Sequence, residues 1–295
     1  MLTARVARKE LWIRRFLAGV AGCSLFILGL ILVFLFMEGL PAFLRLSPRE
    51  FFFNRDWYPT ATPPDFGILA FLAGSAAVTV VASALAVPLG VMTAVWLTEI
   101  APSPLRRIVK PLVELLAALP SVVVGFFGMA VVAPLLQGWL DLDTGLNLMN
   151  AGMMLAFMSV PTICSVSEDA LFAVPRSLRE ASLALGATRW ETTVRVVIPA
   201  AFSGICTACM LGISRSIGET MVVLMVAGGA GIFPSSLFDP VRPLPAAIAA
   251  EIAEASFGGD QYHALFAMGL LLFVCTLIFT LVARRIAEKN QWMTG

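Results

Sequence analysis

Residues 179–199 read REASLALGATRWETTVRVVIP, a charged segment set between two apolar runs long enough to cross a bilayer. From Ser177 to Leu185 the residues are good helix formers. Gly186 then ends or bends that helix, because glycine takes a left-handed backbone without a steric penalty. A second helical stretch is expected from about Thr188 to Pro199, with Pro199 opening the next apolar segment. Proline suits the first turn of a helix, where its missing N–H is not needed. The product is a helix-turn-helix elbow projecting from one side of a membrane, a shape suited to docking against another protein. A plain solvated loop is the simpler alternative.

Outward from this elbow, the composition sets the class. Hydrophobic residues are 59% of the chain and charged residues 13%, with a mean hydropathy of +0.90. A soluble domain is about a quarter charged. Crossing a hydrocarbon core takes roughly 20 apolar residues in a helix, and six stretches qualify: residues 16–37, 67–97, 111–136, 148–166, 200–227 and 263–283. The fourth contains Pro161, which a membrane helix tolerates when neighbours satisfy the freed carbonyl.

The basic residues fall on alternate connections. They are Arg5, Arg8, Lys9, Arg14 and Arg15 in the N-terminal tail, Arg106, Arg107 and Lys110 in the second connection, Arg176, Arg179, Arg189 and Arg195 in the fourth, and Arg284, Arg285 and Lys289 in the C-terminal tail. The opposite side has only Arg45, Arg49, Arg55 and Arg242. By the positive-inside rule both termini and the elbow are expected in the cytoplasm. The first apolar stretch is too long for a signal peptide and no small-residue cleavage site follows, so it is expected to remain as an anchor. With a net charge of +1 and no further basic tract, nothing points to nucleic acid. The cysteines (Cys23, Cys164, Cys206, Cys209 and Cys275) all fall in apolar stretches. The CxxC spacing of Cys206 and Cys209 reads as small apolar residues rather than a metal or redox site.

Charge inside a membrane is costly and usually functional. The fifth stretch holds Arg215 and Glu219, four residues apart, so a continuous helix would place them on one face within pairing distance. Ser214 and Thr220 add hydroxyls, and Gly212 and Gly218 would admit a close neighbouring helix. Two readings stand: an ion pair that fixes helix packing, or an anion site on a transport path, where a guanidinium offers a planar fork to a tetrahedral oxyanion. Glu114 is a further candidate charge.

The elbow resembles the cytoplasmic signature loop of ABC importer permeases: Glu180 and Ala181 with Ser182 for the second alanine, then Gly186, then Val196, Ile198 and Pro199. The resemblance implies that residues 180–190, with Gly186 and Ala187 at the bend, seat in a groove on an ATPase subunit. No GxxxxGK[ST] phosphate loop is present in this chain, so ATP and Mg would be bound by that partner, and the chain would hold no cofactor or metal of its own and be no enzyme. ALGATRW at 184–190, RSIGETM at 215–221, LPSVVVGFFG at 119–128 and AAIAAE at 246–251 are similar to the membrane subunits of bacterial phosphate (Pst) importers, the C-type more than the A-type. In that family the arginine and glutamate of the fifth span belong to the phosphate path, which implies that role for Arg215 and Glu219.

The architecture expected is all-α: a six-span, MetI-like type I ABC importer permease. Residues 1–15 form a tail, 16–66 the first span and outer loop, 67–283 the core with a coupling loop at 168–199, and 284–295 a second tail. The partners implied are a homologous permease, two ATP-binding subunits, an extracytoplasmic phosphate-binding protein, phosphate and membrane lipid. Rival readings are import of sulfate or molybdate by the same architecture, a secondary transporter, or an intramembrane enzyme. The last lacks a base to activate a nucleophile, since the one histidine, His263, sits at a span's edge. The alanine-rich 246–255 segment is expected as an interfacial helix or passive cap, and the aromatic run at 51–58 at the outer membrane interface.

Overall fold

A computed structural model describes residues 2–291, and the side chains of Glu10 and residues 12–285. Arg5, Arg8, Lys9 and Lys289 lie outside the described side chains. The chain runs α1 (Leu2–Arg45), α2 (Pro48–Phe53), a two-stranded antiparallel ribbon of β1 (Trp57–Tyr58) and β2 (Asp65–Phe66), α3 (Leu69–Val95), α4 (Ser103–Ala117), α5 (Ser121–Phe127) and α6 (Ala133–Leu140). It continues through α7 (Leu148–Phe172), α8 (Arg176–Ala184), α9 (Arg189–Thr192), α10 (Ile198–Ile217), α11 (Met221–Val226), α12 (Leu244–Glu251) and α13 (Asp260–Gln291). Among the described residues, six helical segments are long and apolar enough to cross a membrane: Trp12–Arg45, Leu69–Ile100, Ser121–Leu140, Leu148–Phe172, Arg189–Ile217 and Asp260–Arg285.

The bundle is organised around α7, which packs on α3, α10 and α4. Ile163 of α7 is fully buried. A Cβ on Gly90 of α3 would lie 2.7 Å from its Cγ2, and one on Gly212 of α10 would lie 2.5 Å from its Cγ1. Ser159, one turn away, shares a 2.9 Å hydrogen bond with Ser216 of α10. Asn147 caps the start of α7 by accepting from the Asn150 amide, and Asn150 Nδ2 donates to the carbonyls of Gly128 and Gly145. Pro161 leaves α7 unbroken over its full length. α1 stands to one side along α13, where Phe34 meets Phe266 edge-on, His263 Nδ1 lies 2.8 Å from the Glu38 carbonyl oxygen, and Arg45 pairs with Asp260.

Three π-turns, Trp96–Ile100, Gly128–Val132 and Thr193–Val197, each end within two residues of a proline: Pro102, Pro134 and Pro199. At Pro134 and Pro199, which continue the helix, proline lacks an N–H and its ring presses on the carbonyl of the preceding turn, and widening that turn relieves both problems; before Pro102 the chain has already left the helix at Ala101. Pro199 therefore lies within one continuous helical segment, Arg189–Ile217, instead of opening the fifth span.

Other boundaries also differ from those read in the sequence. The N-terminal tail is already helical, as part of α1. The expected third span at 111–136 divides: α4 is a separate amphipathic helix, Ala118 and Pro120 interrupt the chain, and a new apolar segment starts at Ser121. The fourth span continues past residue 166 to Phe172, so the expected loop at 168–199 begins inside α7 and ends inside the next helix. The fifth stops at Ile217, and 221–226 form a short separate helix. The aromatic run at 51–58 is mixed: Phe51 and Trp57 are buried against Phe66 and Phe71, while Phe53 and Tyr58 are exposed. Of the 246–255 segment only 246–251 are helical, as part of α12, whose Leu244, Ala246 and Ala247 are buried; 252–255 are turn and bend.

The Ile163 wedge predicts that Gly212→Ala destabilises the detergent-purified protein by about 1–3 kcal/mol in thermal or denaturant unfolding, the usual cost of overpacking. Ile163→Ala in the same chain should recover part of that loss. A neutral Gly212→Ala would show that α10 does not rest on Ile163.

Candidate functional site

The elbow is built by local rules. Helix α8 ends at Ala184 with Leu185 as its C-cap, and Gly186 follows at φ +87°. The amides of Gly186 and Ala187 then donate to the carbonyls of Leu183 and Ser182, so the last carbonyls of α8 are used. Thr188 caps α9: its Oγ1 accepts from the Glu191 amide at 3.2 Å, while Glu191 Oε2 accepts from the Thr188 amide at 2.9 Å, a reciprocal capping box. Ser182 shares a 2.9 Å hydrogen bond with Thr192, tying the two arms together. The serine that stands where the signature has alanine thus has a structural use.

Of the residues expected in the coupling element, Glu180, Ala181 and Gly186 are exposed and Ala187 is half-buried at the bend. Pro199 is exposed as the second residue of α10, away from the tip. Leu185 is 90% exposed and Trp190 61%. Leaving a leucine side chain in water forfeits roughly 1.5–3 kcal/mol relative to burial, so the tip carries an uncovered apolar surface.

At the other end of the Arg189–Ile217 helix, roughly 40 Å away at 1.5 Å per residue, lies the second expected cluster. Arg215 is exposed in the last turn of α10, where a cation is favoured by the helix dipole. The expected Arg215–Glu219 ion pair is absent among the described residues. Gly218 terminates α10, so the four-residue spacing no longer places the two side chains on one helical face. Glu219 instead turns its Oε1 toward the first amides of α11, accepting from Met221 at 3.2 Å and Val222 at 3.4 Å. Thr220 Oγ1 donates to the Gly218 carbonyl at 3.4 Å, and Ser214 is half-buried on α10. The structure thus brings Ser214, Arg215, Glu219 and Thr220 to one helix junction, with the guanidinium unclaimed and the carboxylate engaged elsewhere. Gly212 makes the close approach expected of it, whereas Gly218 has no neighbouring helix near its Cα.

Charges that the sequence reading did not single out lie on the elbow side of the bundle. Glu168, 2% exposed, pairs with Lys110 at 3.3 Å, and its Oε1 and the Ser167 Oγ have no protein partner. Arg179 pairs with Glu99 at 2.6 Å. The signal for Glu168 was available: the apolar run resumes after Asp169 with Ala170-Leu171-Phe172, so the acid sits within a span. Its partner, on another helix, had no local signal. Glu114 is exposed on α4. Cys206 and Cys209 line an apolar cleft between α3, α10 and α13. On the far side, Glu251 accepts from Trp57 Nε1, Arg242 Nη1 and Gln261 Nε2. Asp239 accepts from the Ser235 hydroxyl and from the Ser235 and Ser236 amides, and these bonds hold its carboxyl below the usual range.

A six-span helical chain with an exposed elbow is the form of an ABC importer membrane subunit. Residues 86–291 match the binding-protein-dependent transport system inner membrane components, and the chain belongs to that family as a multi-pass inner-membrane protein. It is 38% identical to the phosphate transport system permease protein PstC of Mesorhizobium japonicum, over 83% of this chain and 80% of that one. It is 39% identical to the probable ABC transporter permease protein YqgH of Bacillus subtilis, over 92% and 90%. The PstC of Pasteurella multocida is 36% identical over 83% of this chain and 82% of its own length. Among solved structures, a chain of the inward-facing MetNI methionine ABC transporter superposes with a TM-score of 0.57 at 21% identity, covering 76% of this chain and 94% of that one. A chain of the bacterial alginate ABC transporter, in complex with its alginate pentasaccharide-bound periplasmic protein, gives 0.57 at 16%, covering 91% and 93%. The fold is thus the MetI-like permease fold.

Thr188→Ala should remove one half of the capping box and destabilise the elbow by about 1 kcal/mol. Hydrogen exchange at residues 189–192 should rise several-fold while α7 stays protected; unchanged exchange would mean that the cap does not hold the bend.

Proposed function

We propose that this chain is the permease subunit of an ATP-driven importer of inorganic phosphate. The observation that carries the reading is that one helical segment, Arg189–Ile217, has an exposed apolar elbow at one end and an unpaired guanidinium at the other. Movement imposed on the elbow reaches the arginine through a continuous backbone. The PstC relatives supply phosphate as the ion.

In this reading the elbow and both termini face the cytoplasm, in keeping with the distribution of basic residues. Residues 180–190 seat on one of two ATP-binding subunits, which bind ATP and Mg; this chain supplies no nucleotide site and no cofactor. A homologous permease completes the path, and an extracytoplasmic phosphate-binding protein delivers the ion at the opposite mouth. ATP-driven closure of the two ATPases moves the elbow, the bundle alternates its access, and hydrolysis resets it. Arg215 gives transient charge compensation in a fork geometry suited to tetrahedral oxygens. Because Glu219 is engaged by α11, it leaves the guanidinium free to meet an anion. Its carboxylate also adds repulsion that favours release.

Arg215→Ala should abolish ATP-dependent phosphate uptake in vesicles while the complex still assembles with its ATPase. Normal uptake by that variant would remove the anion role. Competition by sulfate or molybdate at equal concentration would reassign the substrate. Gly186→Val forces a β-branched residue into a left-handed conformation at a strain of about 1–3 kcal/mol, with open space around the Cβ. It should detach or uncouple the ATPase in co-purification and turnover assays; retained ATPase and full transport would show that the bend is not the docking element.

A further inference from the structure

Arg179 immediately precedes Glu180 on α8, yet its guanidinium faces the bundle. Nη1 donates to Glu99 Oε1 at 2.6 Å, and Nη2 donates to the carbonyl of Leu171 at 2.8 Å. Glu99 lies in the π-turn that closes α3, and Leu171 is one residue from the end of α7. Both side chains are largely enclosed, Arg179 at 24% and Glu99 at 11% exposure. Among the described residues, no other hydrogen bond or ion pair joins a side chain of α8 to α3 or α7. Arg179 thus adds a charged donor to a carbonyl in the last turn of α7, which also accepts from the Val174 amide, and neutralises a carboxylate at once. Beside it, Arg106 of α4 performs a matching role: its Nε and Nη2 donate to the carbonyls of Leu97 and Thr98, and its guanidinium stacks 4.6 Å over the Phe172 ring.

The elbow therefore has three connections. Two are covalent, through residues 173–175 back into α7 and through α9 into α10. The third is ionic, through Arg179 into the π-turn that closes α3. We infer that Arg179 is a positioning residue which, through Glu99, makes α3 follow the elbow and the end of α7 when its ATPase partner moves them; this rests on the importer reading above. The physical ground is the asymmetry of a partly enclosed charge pair. Separating Arg179 from Glu99 would leave a carboxylate with little access to water and no counter-charge, which costs more than the intact pair contributes. Over a small displacement the two helices move together more readily than the pair breaks. With a neutral residue at either position, α8 is free to shift without α3, and ATP is hydrolysed without a matching change in the bundle.

The test uses the whole transporter, with its ATPase and binding protein, in vesicles. Arg179→Gln and Glu99→Gln should each lower phosphate moved per ATP hydrolysed by about five-fold or more. The ATPase should remain bound and turning over, and the double variant should be no worse than either single one. Arg176→Gln, on the same helix at an exposed site, should leave the ratio unchanged. A wild-type ratio in both variants, or a loss equal to that of Arg176→Gln, overturns the inference. So does loss of assembly in both, which would make the pair merely structural; if only Arg179→Gln fails to assemble, Glu99→Gln decides. As a readout independent of substrate, hydrogen exchange at residues 94–100 should respond to a non-hydrolysable ATP analogue in the wild type and not in Glu99→Gln. If wild-type vesicles take up no phosphate, the proposed substrate falls alone, and the exchange response still decides the role of Arg179.

Discussion

Ile163 has no solvent exposure, and its two branches occupy the space that two absent side chains leave open, on Gly90 of α3 and Gly212 of α10. In a bilayer the hydrophobic effect does little to hold helices together, because lipid is as apolar as leucine. What remains is close packing, at about 0.1–0.2 kcal/mol per atom contact, and hydrogen bonds such as Ser159–Ser216. A branched side chain lodged between two glycines maximises the first term, and the serine pair one turn away adds the second. The position of α7 between α3 and α10 follows from this, and with it the position of the elbow that α7 leads into and of the arginine at the end of α10.

Elsewhere the bundle departs from regular helix where a residue compels it. Two π-turns lie before Pro134 and Pro199, and the fifth span ends at Gly218. The last break matters most for chemistry. Had the helix run on, Arg215 and Glu219 would have neutralised one another. Because it stops, Glu219 satisfies the first amides of α11, and Arg215 keeps its charge at the end of a helix that stabilises it. Burial sorts the other charges. Glu168 and Glu99 lie deep enough to require cations, and receive Lys110 and Arg179. Arg45 and Asp260 are about half exposed, and a pair of that kind contributes little. The enclosed pairs join different helices on the elbow side and so bind that side into one mechanical unit.

The six apolar segments, the elbow with its glycine bend and the family resemblance were all legible in the sequence, because each depends on residues close together in the chain. Apolar length sets a span, and helix formers followed by glycine set a bend. Where the reading failed, a local rule was applied across a break it could not register. The Arg215–Glu219 pair followed from spacing on an uninterrupted helix, although Gly218 was in view. The third span was drawn through Pro120, which instead separates the amphipathic α4 from the apolar run. His263, passed over as an interfacial residue, is buried against the Glu38 carbonyl of α1.

What the order of residues dictated was therefore the membrane class, the number of crossings and the local form of the elbow, all of which arise from short-range backbone and solvation preferences. The partners of Arg179, Lys110 and Ile163 were settled by the packing of helices that lie far apart in the chain: Glu99 is eighty residues from Arg179. Such partners depend on which helix faces meet, and in lipid that is governed by the fit of particular surfaces, which no local pattern of apolar and charged residues encodes.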